Sequence, residues 1–123
     1  KRQLSKTQII EFSILFIILN YFKIASKKLE ELSEIKLLSE KNESLKNTII
    51  AAHIEGDNKE NIQNRINAEY KDLSEQIKEN SNIQMITKDK TDQDILDLID
   101  ELIIDFKEQD NLKKNRIFRK RTD

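Results

Sequence analysis

The chain has 123 residues, enough for one ordinary domain, with 37% apolar residues, 37% charged residues and a formal net charge of −1. It contains no Pro, Cys, Trp or Val and a single glycine, Gly56. The missing Val and the near-absence of turn formers weigh against strand-rich sandwiches and barrels, and the missing Cys excludes disulfides and thiolate–metal chemistry.

Twenty Ile and thirteen Leu supply the apolar material that a disordered chain lacks. The expected class is all-α, an elongated coiled-coil-like bundle forming one helical unit over residues 1–123. Lys outnumbers Arg by 17 to 5 and Asn occurs eleven times, the signature of an AT-rich coding bias, so part of this composition is mutational. The chain starts at Lys1 and its only methionine is Met85, the pattern expected of an excerpt or a processed product.

A first helix is expected over about 4–55, because nothing breaks it, and at 1.5 Å per residue it would reach roughly 75 Å. Gly56 supplies a left-handed stop for a helical hairpin turn, and Asp57 with Glu60 fits a capping box for the next helix. A second helix is expected over about 58–80, where Ile62, Ile66, Tyr70, Leu73 and Ile77 form one stripe. The polar stretch 81–91 reads as a loop. Thr91, with Asp94 three residues on, caps a third helix over about 92–118. Charge comes in blocks: +5 over 1–28, −4 over 29–91, −7 over 92–110 and +5 over the basic tail 111–123. Acids at the start of the third helix and bases at its end both complement its dipole.

Within the first helix, twelve of the sixteen residues from Ile9 to Ile24 are apolar, and they point all round the axis. Such a helix is buried by protein on every side or immersed in lipid. Sixteen residues that include Glu11, Ser13 and Asn20 fall short of the roughly 20 that a span requires. Docking into a protein assembly is therefore expected through Ile9, Phe12, Leu15, Phe16, Leu19 and Phe22, with a short membrane anchor as the alternative. Downstream, Ile35, Leu38, Asn42, Leu45 and Ile49 follow the three–four spacing of a coiled-coil seam. The successive steps of three from Leu32 to Ile35 to Leu38 form a stammer. Asn42, at a core position of that seam, either fixes register against a partner amide or faces solvent.

The third helix offers Ile95, Ile99, Leu102 and Phe106 as a further partner-binding stripe. Asp97, Glu101 and Asp105 line one side of it, where they form a solvated acidic face suited to a basic partner. Beyond it, Lys113, Lys114, Arg116, Arg119, Lys120 and Arg121 form a basic tail that suits phosphate contacts or a localisation signal, or else simply offsets the helix dipole. Catalysis finds no machinery: His53 is the sole histidine, no Cys partners it, and one glycine cannot build a phosphate loop. No metal site, cofactor or enzymatic activity is expected.

The reading is a non-enzymatic helical subunit, a scaffold or connector whose partners are other protein chains, in an intracellular setting. The alternatives are a membrane-anchored stalk with residues 9–24 in lipid, and a nuclear or nucleic-acid adaptor acting through the tail, nucleic acid being the less expected partner. No motif is specific enough to name a family.

Overall fold

A computed structural model describes the backbone of residues 3–122 and the side chains of residues 3–115. Among these residues the protein is all-helical. The first helix, α1 (Lys6–Asn20), starts at a complete capping box: Gln8 N–H donates to Ser5 Oγ at 3.2 Å, and Ser5 N–H donates to Gln8 Oε1 at 3.0 Å.

The expected fifty-residue rod is not continuous. It is cut at Tyr21 into α1 and α2 (Phe22–Ala25), which passes through a 3₁₀ turn (Ser26–Lys28) into α3 (Leu29–Glu34). The segment after Tyr21 leaves the axis of α1 at 106°. An extended linker, 35–39, then leads to α4 (Glu40–Ile54). The stammer at Leu32, Ile35 and Leu38 thus falls where the helix stops, so the expected seam is shared between a linker and α4. Ile35, Asn42, Leu45 and Ile49 are nonetheless buried, and Leu38 is half-buried, all inside the chain's own core.

The expected turn at Gly56 is present. Gly56 has φ +81°, its N–H donates to His53 O at 3.1 Å, and Asp57 N–H donates to Ala52 O at 3.1 Å. These are the two bonds of a Schellman ending. The cap of the next helix lies one residue later than expected. Asn58 Oδ1 accepts from Asn61 N–H at 2.8 Å, and Asp57 instead takes Arg65 at 3.1 Å.

The second helix is also divided, into α5 (Lys59–Glu69) and α6 (Lys71–Glu79), with Tyr70 at the break. Tyr21 and Tyr70 share nearly the same backbone, φ −134° and ψ 40° against φ −132° and ψ 30°. Both hydroxyls reach other elements. Thr87 Oγ1 donates to the Tyr21 hydroxyl at 3.3 Å, while the Tyr70 hydroxyl meets Ser44 Oγ at 2.5 Å and Thr48 Oγ1 at 3.2 Å. The two tyrosines therefore fasten the points where helices turn.

Residues 81–91, expected as loop, contain a short helix α7 (Ser81–Gln84) and a 3₁₀ turn (Met85–Thr87). Asn80 caps α7 by accepting from Ile83 N–H at 3.1 Å, which buries Ile83 and Thr87. The last helix, α8 (Asp92–Thr122), begins at the expected reciprocal cap: Asp94 N–H donates to Thr91 Oγ1 at 3.1 Å and Thr91 N–H to Asp94 Oδ2 at 3.2 Å.

α1 occupies the centre, packed against α4, α6, α7 and α8. Ile10, Phe12, Ile14, Leu15, Ile17 and Ile18 are all buried there. Each such side chain contributes roughly 1.5–3 kcal/mol on leaving water, and an all-round apolar helix collects that gain on every side.

Candidate functional site

The chain's buried charges define where α3 and α4 meet. Glu11, on α1, is 1% exposed, and its carboxylate sits over the start of α4. It accepts from Leu38 N–H at 2.7 Å, Ser39 N–H at 3.4 Å and Asn42 Nδ2 at 2.8 Å. A helix N-terminus carries about half a positive charge and unpaired N–H donors, so a carboxylate there is stabilised twice. Lys46 answers at the other side. Fully buried, its ammonium donates to Leu32 O at 2.9 Å and to Ile35 O, and pairs with Glu43 at 3.1 Å. Those carbonyls are the unpaired acceptors at the end of α3. Glu43 in turn accepts from Leu37 N–H at 2.9 Å, so every residue from Ile35 to Ser39 except Lys36 is held by a side chain from elsewhere.

Two sequence expectations change here. Glu11, a polar interruption of the apolar block in the sequence, is a structural anchor, and Asn42 bonds to Glu11 within the chain. Lys46 was missed altogether. Its signal was its position between Asn42, Leu45, Ile49 and Ile50, all on the buried side of α4.

The partner-binding residues expected on α1 and α2 are taken up internally to different degrees. Phe12 and Leu15 are buried, Phe16, Leu19 and Phe22 are half-buried, and Ile9 is 45% exposed. Among the described residues no single helix is long and apolar enough to cross a membrane, although α1 with the bent segment Phe22–Glu34 reaches that hydropathy as a pair.

On α8 the expected stripe Ile95, Ile99, Leu102 and Phe106 is buried against the core. The opposite side is the larger solvent-facing feature. At roughly 100° per residue, Asp97, Glu101, Ile104, Asp105, Glu108 and Leu112 fall within an arc of about 100°. All six are exposed, Ile104 at 63% and Leu112 at 51%. Two bare aliphatic side chains thus sit in a frame of four carboxylates. Asp100 and Asp110, on the flanks, are already paired with Lys28 and Lys114, each at 3.1 Å. Of the basic tail, Lys113 and Lys114 are exposed, whereas the side chains of Arg116, Arg119, Lys120 and Arg121 lie outside the described residues. Among the described residues no group of three or more carboxylate or imidazole side chains is placed to share a metal ion.

His53 stacks face to face on Phe22, with ring centroids 3.6 Å apart and planes inclined by 2°. Desolvation by burial pushes its imidazole below the ordinary histidine value, so the ring is neutral at neutral pH and stacks without an imidazolium charge. The stack forms one wall of a cavity of about 750 Å³ between the α1–α2 bend and the α4–α5 turn.

Searches against protein-family models, curated proteins and solved structures find no match for this chain.

Proposed function

We propose that the protein is a non-enzymatic helical binding module, a scaffold or connector within a larger protein assembly, and that the outer face of α8 is the surface it offers. The observation that carries this reading is the pairing of exposed Ile104 and Leu112 with Asp97, Glu101, Asp105 and Glu108 on one side of one helix. An aliphatic strip framed by one sign of charge recognises a basic amphipathic helix. Apolar contact supplies the affinity, and the carboxylates steer the approach and set the orientation. Coiled-coil pairing, on this reading, involves α8 and the partner helix, while α1 and α4 serve as the rigid base behind them.

The test is titration of the ¹⁵N-labelled protein with a synthetic amphipathic helix in which lysines flank a leucine seam. Shift changes should map to residues 97–112, and binding should weaken as salt rises. Replacing Ile104→Asp together with Leu112→Asp leaves the core untouched and should weaken binding by about tenfold or more, as loss of a central apolar anchor does. Unchanged affinity in that double variant, with its helix content intact, overturns the assignment.

A further inference from the structure

The cavity between the α1–α2 bend and the α4–α5 turn shares no residue with the outer face of α8. Its volume of about 750 Å³ lies within the usual range for small-molecule sites, roughly 300–1,000 Å³. Ile49, Ile62 and Ile66 form an apolar floor buried from solvent, and Leu19 and Ile24 are half-buried along the opening. At the rim stand Lys23, Lys27 and Lys59, all exposed. Two carboxylates also border the cavity. Asp57 is engaged by Arg65 at 3.1 Å, which leaves Asp92 as the acid opposing three ammonium groups.

We propose that this groove binds a small amphiphile with one anionic head, its aliphatic chain covering the half-buried Leu19, Phe22 and Ile24 above the Ile49, Ile62 and Ile66 floor and its head among Lys23, Lys27 and Lys59. The apolar surface that Leu19, Phe22 and Ile24 still expose gains by excluding water, and a charged head gains most at a rim where it stays partly hydrated. The bend at Tyr21 opens this space. Beyond this 106° bend, Phe22, Lys23 and Lys27 line the cavity together with Ile49 and His53 of α4 and Lys59, Ile62 and Ile66 of α5. The inference stands independently of the α8 reading, because it concerns a different surface and a different class of ligand.

The probe is decanoate, added to the ¹⁵N-labelled full chain below its micelle concentration. Saturable shifts are expected at Phe22, Lys23, His53, Lys59 and Ile62. Decyltrimethylammonium, with the same tail and the opposite charge, should bind about tenfold more weakly, and so should decanoate to the Lys23→Glu, Lys59→Glu variant. Gln63→Trp projects a large ring from an exposed lining position and should abolish saturation while helix content is unchanged, which keeps the test decisive if the charge variant fails to fold. Equal binding of the two amphiphiles, shifts that never saturate, or shifts confined to residues 97–112 would each overturn the proposal.

Discussion

Residues 4–55 and residues 92–122 look alike in sequence, since neither stretch contains proline or glycine. In the folded chain the first is cut into four helices, whereas α8 runs unbroken for 31 residues. The difference lies in how each stretch distributes its apolar side chains. On α8 the buried residues Ile95, Ile99, Leu102, Ile103 and Phe106 occupy one side, and a straight rod buries all of them. On α1 the apolar side chains point all round, and a straight extension would carry Phe22, Ala25 and Leu32 past the end of the core. Breaking the rod brings Ala25 to 0% and Leu32 to 1% exposure. Absence of helix breakers permits a long helix but does not require one.

Each break leaves helix-end donors and acceptors without partners, so it survives only where something satisfies them. At 35–39 that something is Glu11 and Lys46. The largest expected effect therefore comes from Lys46→Met, which keeps the aliphatic volume but strips the cation from Leu32 O, Ile35 O and the Glu43 carboxylate. Removing one member of a buried charged pair costs about 3–5 kcal/mol. Urea unfolding followed by far-UV circular dichroism measures it, and a loss below about 1 kcal/mol, the net worth of an ordinary hydrogen bond, would mean the linker is held by packing alone.

The same network explains what could be read from the sequence. The start of α8, the stop at Gly56 and the all-helical class were legible, because each rests on local chemistry: a Thr–Asp cap, a left-handed glycine, a composition poor in strand formers. The Tyr21 and Tyr70 breaks were not, since tyrosine is no helix breaker and both are fastened by hydroxyl bonds to residues 22 to 66 positions away. Glu11 and Asn42 were visible as polar intruders in apolar stretches, but their contact spans 31 residues, and only the fold reveals that each answers the other. On α8 the acidic side was legible from periodicity. That Ile104 and Leu112 stand bare within it was not, because burial on the opposite side decides which aliphatics are left over.

Proline placed in the two contrasting regions probes their difference directly, beginning with α8. Glu101→Pro falls in the middle of the unbroken helix, removing one backbone donor and driving the ring against the carbonyl of Asp97, at a cost of roughly 3 kcal/mol. A loss of helix signal and an early urea midpoint are expected. If the protein tolerates the change, α8 does not depend on continuity through its core-facing turns.

Gly56→Ala tests the one stop that both the sequence and the fold place at the same residue. At φ +81° a Cβ is strained by the backbone itself, and nothing lies within 4 Å to clash with it, so the cost should be the left-handed penalty alone, about 1 kcal/mol. A substantially larger loss of thermal stability would point to a contact the local geometry does not contain.

The smallest effect is expected from proline in the linker. Ile35 already has φ −74° and ψ 144°, the conformation that a residue preceding proline prefers, and Lys36 is exposed. Among the described residues the Lys36 N–H makes no hydrogen bond outside regular helix, so Lys36→Pro removes no native donor. It also restricts the unfolded chain, which offsets small losses, and the net change should stay within about 0.5 kcal/mol of zero. Measured beside Glu101→Pro under the same urea conditions, this variant isolates the point of the comparison. Two stretches equally free of helix breakers should differ by more than about 2 kcal/mol in their tolerance of the strongest one, because only one of them uses helical continuity to reach the core.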